Sequence, residues 1–172
     1  MTDDFSTSIE KADRLAMVAE RIGIAVWRLQ ELEGCAAHYL VLKTKAKQGM
    51  GTEAGDELIS KALKQTFGAT LREITKANIL EPALQKRFDK ILEERNWLVH
   101  KSLASSRSAL QTDDSANRLI TRIKCIAKES LKLLRVVGEL SELFVREKGV
   151  SQQYLDERAA AILREWHQTK AE

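Results

Sequence analysis

The sequence predicts an all-α bundle, and three observations carry that prediction. Ala, Leu, Glu, Lys and Arg are abundant, there is one Pro, and aromatic residues make up 5%, a composition that favours helix over strand. Apolar residues recur at spacings of three and four along most of the chain. No segment alternates apolar and polar residues as a half-buried strand would. The 172 residues suffice for a self-sufficient core. The chain reads as one helical domain over residues 1–172, with two long helices and several shorter ones.

The first long helix starts after Ser8, a plausible N-cap. Its stripe is Ile9, Ala12, Leu15, Ala16, Ala19, Ile22, Val26, Leu29, Ala36 and Leu40. Gly34 softens its middle, Lys43 to Lys47 place positive charge near its C-terminal end, and Gly49-Met50-Gly51 ends it. A second helical region runs from about Thr52 to Ala77, with a break near Thr66-Phe67-Gly68 where Thr66 can cap a new helix carrying Leu71 and Ile74. Pro82 opens the next helix, at a position where its missing N–H costs nothing. Leu84, Phe88, Ile91, Leu92 and Leu98 give that helix an apolar face. Ser102 to Asp114 is rich in Ser, Thr and Asp and reads as a loop. The second long helix is capped by Asp113, Asp114 or Ser115, carries Leu119, Ile123, Ile126, Leu131, Leu134, Val137, Leu140 and Phe144, and stops at Gly149. Ser151 caps a last helix, Gln152 to Lys170, with Tyr154, Leu155, Ala159, Ile162 and Trp166.

The net charge of +3 is too mild to argue for nucleic acid by itself. Cys35 and Cys125 are far apart, offer no metal-ligand spacing and suggest no disulfide framework, so a reduced, cytoplasmic protein is expected. Met1 to Ser8 is polar and acidic, unlike a signal segment. Apolar runs are short and interrupted by charge, so no membrane span is expected.

One stretch stands apart chemically: Glu94-Arg95-Asn96-Trp97-Leu98-Val99-His100. Asn96 and His100 are four apart and share a helix face, and the long stem of Arg95 can swing to the same side. Trp97 and Leu98 can point to the core. The set suits RNA cleavage. Histidine titrates near ~6.5 and can take a proton from a ribose 2′-OH, which then attacks the adjacent phosphate. Arginine offers a permanent charge and a fork of donors to phosphate oxygens as charge builds in the transition state. Asn96 can orient His100 or hold a phosphate, and neither metal nor other cofactor is required. One copy has a single His and Arg here, so a two-fold dimer would be needed to bring two of each into one cleft. The bland alternative is a polar cluster that ties down a helix end, with Arg95 paired to Glu93 or Glu94.

Arg-Asn-x-x-x-His on a helix of a small all-α protein resembles the HEPN superfamily, whose motif is Arg, a spacer of four to six residues, then His. Thr66-Phe67-Gly68 before the motif looks like the Gly-containing helix start of bacterial HEPN-like proteins. The resemblance covers roughly Thr66 to Ser102 and the helical layout. It implies a HEPN-like bundle acting as a metal-independent endoribonuclease of a toxin–antitoxin or antiviral defence system. It further implies a homodimer with paired motifs in one cleft, and an antitoxin or defence-system partner protein. Arg95 would stabilise the scissile phosphate, His100 would be the general acid/base, and Asn96 would support them. Where HEPN toxins paired with a minimal nucleotidyltransferase carry a Tyr two residues after the His, this chain has Ser102, preceded by Lys101. Some HEPN domains are instead non-catalytic RNA- or protein-binding modules within larger complexes.

The remaining candidates are weaker. Lys101 and Arg107 flank the motif and are expected to contact substrate phosphates. Lys43, Lys45 and Lys47 fit a helix C-terminus better than an RNA site. His38 and Tyr39 are expected to pack, and His167 to lie on the surface. Trp27, Trp97 and Trp166 serve a core or dimer contact more readily than base stacking.

Overall fold

Two local signals set the path of the chain around the motif. Thr66 holds extended backbone and its hydroxyl accepts from Ala69 N at 3.3 Å, which starts a helix where the sequence placed one. Pro82 is the first residue of the next helix. Between them, Asn78 ends the first of these helices in the left-handed conformation, φ 51°, which Asn tolerates better than most residues. The computed structural model describes residues 2–168, and all of its regular structure is helical: α1 (Thr2–Thr44), α2 (Thr52–Leu63), α3 (Phe67–Ala77), α4 (Pro82–His100), α5 (Ser102–Ser105), a 3₁₀ turn (Arg107–Leu110), α6 (Asp113–Glu147) and α7 (Gln152–Gln168). Among the described residues there is no strand, so this is an all-α bundle with two long helices. The C-terminal part of the expected last helix, through Lys170, lies outside the described residues.

Contacts divide the chain into two units, Met1–Val137 and Gly138–Glu172. In the first, α1 packs against α2, α3 and α4, and α3 packs against α4. Its core is built from Leu29, Leu32, Ala36 and Leu40 of α1, Phe67, Leu71 and Ile74 of α3, Phe88, Ile91 and Leu98 of α4, and Ile123, Ile126 and Leu133 of α6. Phe67 and Phe88 meet edge to face with centroids 6.4 Å apart. Such pairs add about 0.5–1.5 kcal/mol to the burial of their area. The second unit comprises the end of α6, the turn at Gly149 (φ 91°) and α7, whose Tyr154 N donates to the capping Ser151 hydroxyl at 3.2 Å.

Five expectations change. Helix α1 begins at Thr2, before Ser8, and passes through Gly34 without a break. Its N-terminal half turns a different stripe inward. Ile9, Ala12, Leu15, Ala16 and Ala19 are exposed, while Arg14, Val18 and Ala25 are buried. The reason is Arg14, 8% exposed, whose guanidinium donates to Asp113 Oδ1 at 2.6 Å, to the Leu110 carbonyl at 3.2 Å and to Glu10 Oε2 at 3.0 Å. The Asp113 hydrogen bond raises the already high pKa of Arg14. Residues 102–114 are not a plain loop but α5 and the 3₁₀ turn, tied to α1 through that arginine. The N-cap of α6 is Thr112, whose hydroxyl accepts from Ser115 N at 3.3 Å, rather than Asp113, Asp114 or Ser115. His38 is exposed and does not pack, whereas Tyr39 is buried and donates to the Ile79 carbonyl at 3.1 Å.

Candidate functional site

Helix α4 carries the candidate residues on three parts of its circumference. Phe88, Ile91 and Leu98 are buried and fix its rotation. One side of that seam meets α1. There Arg95 Nε donates to Glu33 Oε1 at 3.0 Å, with the two side chains 26% and 25% exposed. On the outer surface Asn96 and His100 are exposed one turn apart. Arg95 Nη1 donates to Asn96 Oδ1 at 3.4 Å, so the arginine touches both Glu33 and the exposed face. The sequence motif is thus one cluster for Arg95 and Asn96, with His100 a turn further along the same helix. The partner of Arg95 is Glu33, sixty-two residues away in sequence, not Glu93 or Glu94.

The end of α4 is rich in uncovered apolar surface. Val99 is 49% and Leu103 79% exposed, flanking His100. Lys101 caps α4, its backbone N–H donating to the Trp97 carbonyl, and Ser102 Oγ donates to the Leu98 carbonyl at 2.6 Å. Lys101 and Arg107 are both exposed, on the cap and on the 3₁₀ turn. The hydroxyl of Ser102 therefore serves the helix end, where a tyrosine would present its own.

The third side of α4 faces α6. Trp97 is half-buried rather than in the core, because the Arg122 guanidinium lies over its ring, 3.4 Å from the centroid. The same guanidinium holds Glu94 with two hydrogen bonds, Nε to Oε2 at 2.9 Å and Nη2 to Oε1 at 3.2 Å. Neither Glu33 nor Arg122 was singled out from sequence, since nothing in a linear reading pairs residues that far apart.

Trp27 is 73% exposed on α1, so its ring is not a core contact. Of the lysines near the end of α1, Lys45 pairs with Glu73 at 3.7 Å. The side chains of Trp166 and His167 lie outside the described residues. Cys35 is partly buried, which raises its thiol pKa, and Cys125 is exposed. Among the described residues no group of three or more His, Cys, Asp or Glu could hold a metal ion, and no helix is long and apolar enough to cross a membrane. Compared with protein-family models, curated proteins and solved structures, the chain matches none.

Proposed function

We propose that this chain is a metal-independent endoribonuclease of the HEPN type, a cytoplasmic toxin or antiviral-defence effector that works as a homodimer. The observation that carries the reading is the exposed Asn96–His100 face joined through Asn96 to the Arg95 guanidinium. In this scheme His100 takes the proton of a ribose 2′-OH, and the 2′-oxygen attacks the adjacent phosphorus. The bond to the 5′-oxygen breaks, that oxygen gains a proton from the second His100 of the dimer, and the RNA is left with a 2′,3′-cyclic phosphate and a 5′-OH. Arg95 stabilises the charge that builds on the phosphoryl oxygens, and Asn96 holds the arginine toward it. Lys101 and Arg107 contact flanking phosphates. Val99 and Leu103, apolar and exposed beside His100, suit a contact with a second copy.

A second reading has its own support. Arg95 is committed to Glu33 within one chain, as a residue that straps α4 to α1 would be. On that reading the chain is a non-catalytic module that binds RNA or a partner protein within a larger complex. The deciding experiment incubates wild type and His100→Ala with total RNA in EDTA and maps the ends. His100 is exposed, so the variant should fold. Cleavage by wild type alone, with cyclic phosphate ends, supports the nuclease. No cleavage by folded, dimeric wild type favours the module, and equal cleavage by both proteins removes His100 from the mechanism.

A further inference from the structure

The +3 of the chain is not spread evenly. From Ser115 to Val137, most of α6, six basic residues (Arg118, Arg122, Lys124, Lys128, Lys132 and Arg135) stand against one acid, Glu129. That surplus of five exceeds the net charge of the whole chain, so the remainder is acidic on balance. Burial of Ile123, Leu133 and Val137 turns the opposite side of α6 to the core and leaves all six bases exposed. From Arg118 to Arg135 the basic stripe is about 25 Å long. Helix α4 answers only one edge of it. Arg87 Nε donates to Glu129 Oε1 at 2.8 Å, and seven residues on, Glu94 meets Arg122 seven residues earlier at 2.9 Å, two straps that fix an antiparallel register. Arg118, Lys124, Lys128, Lys132 and Arg135 form no ion pair among the described residues. Along the α4 edge runs a groove of about 640 Å³, with Lys90 of α4 in its lining together with Lys128 and Lys132. Continued by one turn, the register sets Arg118 level with Leu98, at the end of α4 that carries His100.

From this charge distribution we infer that the solvent face of α6 is a track for the phosphate chain of an RNA strand, leading to the end of α4 that carries His100. A phosphate chain asks for a line of fixed positive charge and needs no apolar anchor. Lys124, Lys128 and Lys132 supply that line at intervals of one turn, about 6 Å. A protein partner would need an apolar centre to its interface. None of the exposed large hydrophobic residues lies on this stretch of α6. The length of the stripe favours an extended polyanion over a single phosphate group. Contacts of this kind hold and align a strand without reading its bases, so binding is indifferent to sequence and falls steeply with salt. Phosphates alone do not separate RNA from DNA, and the choice of RNA rests on the nuclease reading.

The test uses the full chain with His100→Ala, which keeps RNA intact, and a fluorescent oligo(U) of about 12 nucleotides. Anisotropy is read across a salt series for this protein, for Lys124→Gln/Lys128→Gln/Lys132→Gln, and for Lys47→Gln/Lys64→Gln/Lys76→Gln. The second triple makes the same charge change at exposed lysines away from α6. All three α6 lysines are exposed and Gln sustains a helix, so that variant should fold. The exposed Cys125 lies within the stripe and gives a footprint that needs no lysine variant: RNA should slow its alkylation and leave the reference, Cys35, unchanged. Binding that weakens at least tenfold in the α6 triple, with a log K against log salt slope smaller by about 2, supports the proposal when the control triple stays within threefold. Equal losses in the two triples, an unprotected Cys125, or no binding of oligo(U) overturns it. A poly-Glu peptide that binds where oligo(U) does not also overturns it, by giving the stripe to a protein. The nuclease reading fails separately: binding on the stripe with no cleavage by the wild type keeps the track and removes the nuclease, whereas cleavage unchanged by the α6 triple does the reverse.

Discussion

Replacing Glu33 with Gln separates the two readings of Arg95. The wild-type pair has N···O 3.0 Å with both side chains about a quarter exposed, 26% and 25%. Two unit charges near 4 Å attract by about 4 kcal/mol at an effective dielectric of 20. Partial desolvation and remaining solvent screening remove most of that, so the pair falls between an exposed bridge of under about 1 kcal/mol and a buried one. A net value of about 1 kcal/mol is expected, read as the loss of unfolding free energy in urea. If Arg95 engages an RNA phosphate, the phosphate must displace Glu33, and that same 1 kcal/mol opposes binding. Glu33→Gln removes the opposition, so RNA should bind about fivefold more tightly. The affinity is measured by anisotropy in the His100→Ala background, where RNA stays intact. The substitution also adds one positive charge to the protein, so Glu31→Gln serves as the control: Glu31 lies on the same helix, exposed and paired with Arg28 at 3.2 Å. A fivefold gain for Glu33→Gln and a smaller one for Glu31→Gln would bear out the reasoning. Lower stability with RNA affinity equal to the control would refute it and leave Arg95 as a strap.

Four further outcomes follow from the fold. Phe88→Ala removes a fully buried ring that meets Phe67, and should cost about 3–5 kcal/mol in urea unfolding. Thr66→Ala removes the hydroxyl that caps α3 and should cost about 1 kcal/mol by the same assay. Asn78→Gly relieves a left-handed residue and should raise the melting temperature, whereas Asn78→Ala should lower it. Burial raises the pKa of Tyr39, so its contribution is fully present below the ordinary tyrosine value of ~10 and is lost as pH rises through the raised folded value. Wild type should therefore lose more stability than Tyr39→Phe on alkaline titration, after starting about 1 kcal/mol more stable through the hydrogen bond to Ile79.

Where the sequence could be read and where it could not has a physical pattern. Thr66, Pro82, Gly149 and Ser151 act through their own backbone or through residues three away, and each boundary they predict is where the chain turns. The C-terminal half of α1 was also legible, because Leu29, Ala36 and Leu40 face a core made mostly of apolar residues. The N-terminal half was not. There two stripes compete, and the one containing Arg14 is buried because Asp113, nearly a hundred residues on, and the Leu110 carbonyl satisfy the guanidinium. No periodicity rule rewards a buried arginine. The 102–114 segment failed for the same reason. Its Ser- and Asp-rich composition reads as coil, but Arg14 takes up the Leu110 carbonyl, while the Ser102 and Thr112 hydroxyls tie the segment's ends to the backbone of α4 and α6. In the candidate site the sequence found Arg95, Asn96 and His100 by local spacing and missed Glu33 and Arg122, which are defined only by helix packing.

Helix α4 shows why a short motif is hard to judge from its own letters. Within one stretch of seven residues, Glu94 and Trp97 answer to α6, Arg95 to α1, Leu98 to the core, and Asn96 and His100 to solvent. A helix repeats every 3.6 residues, so adjacent letters diverge by about 100° and serve different neighbours. Lys90 and His100, ten residues apart on α4, sit about 15 Å apart along the axis and on different sides of it. The rotation of α4 also sets the reach of Arg95. The straps Arg87–Glu129 and Glu94–Arg122 fix that rotation from one side and Glu33–Arg95 from the other.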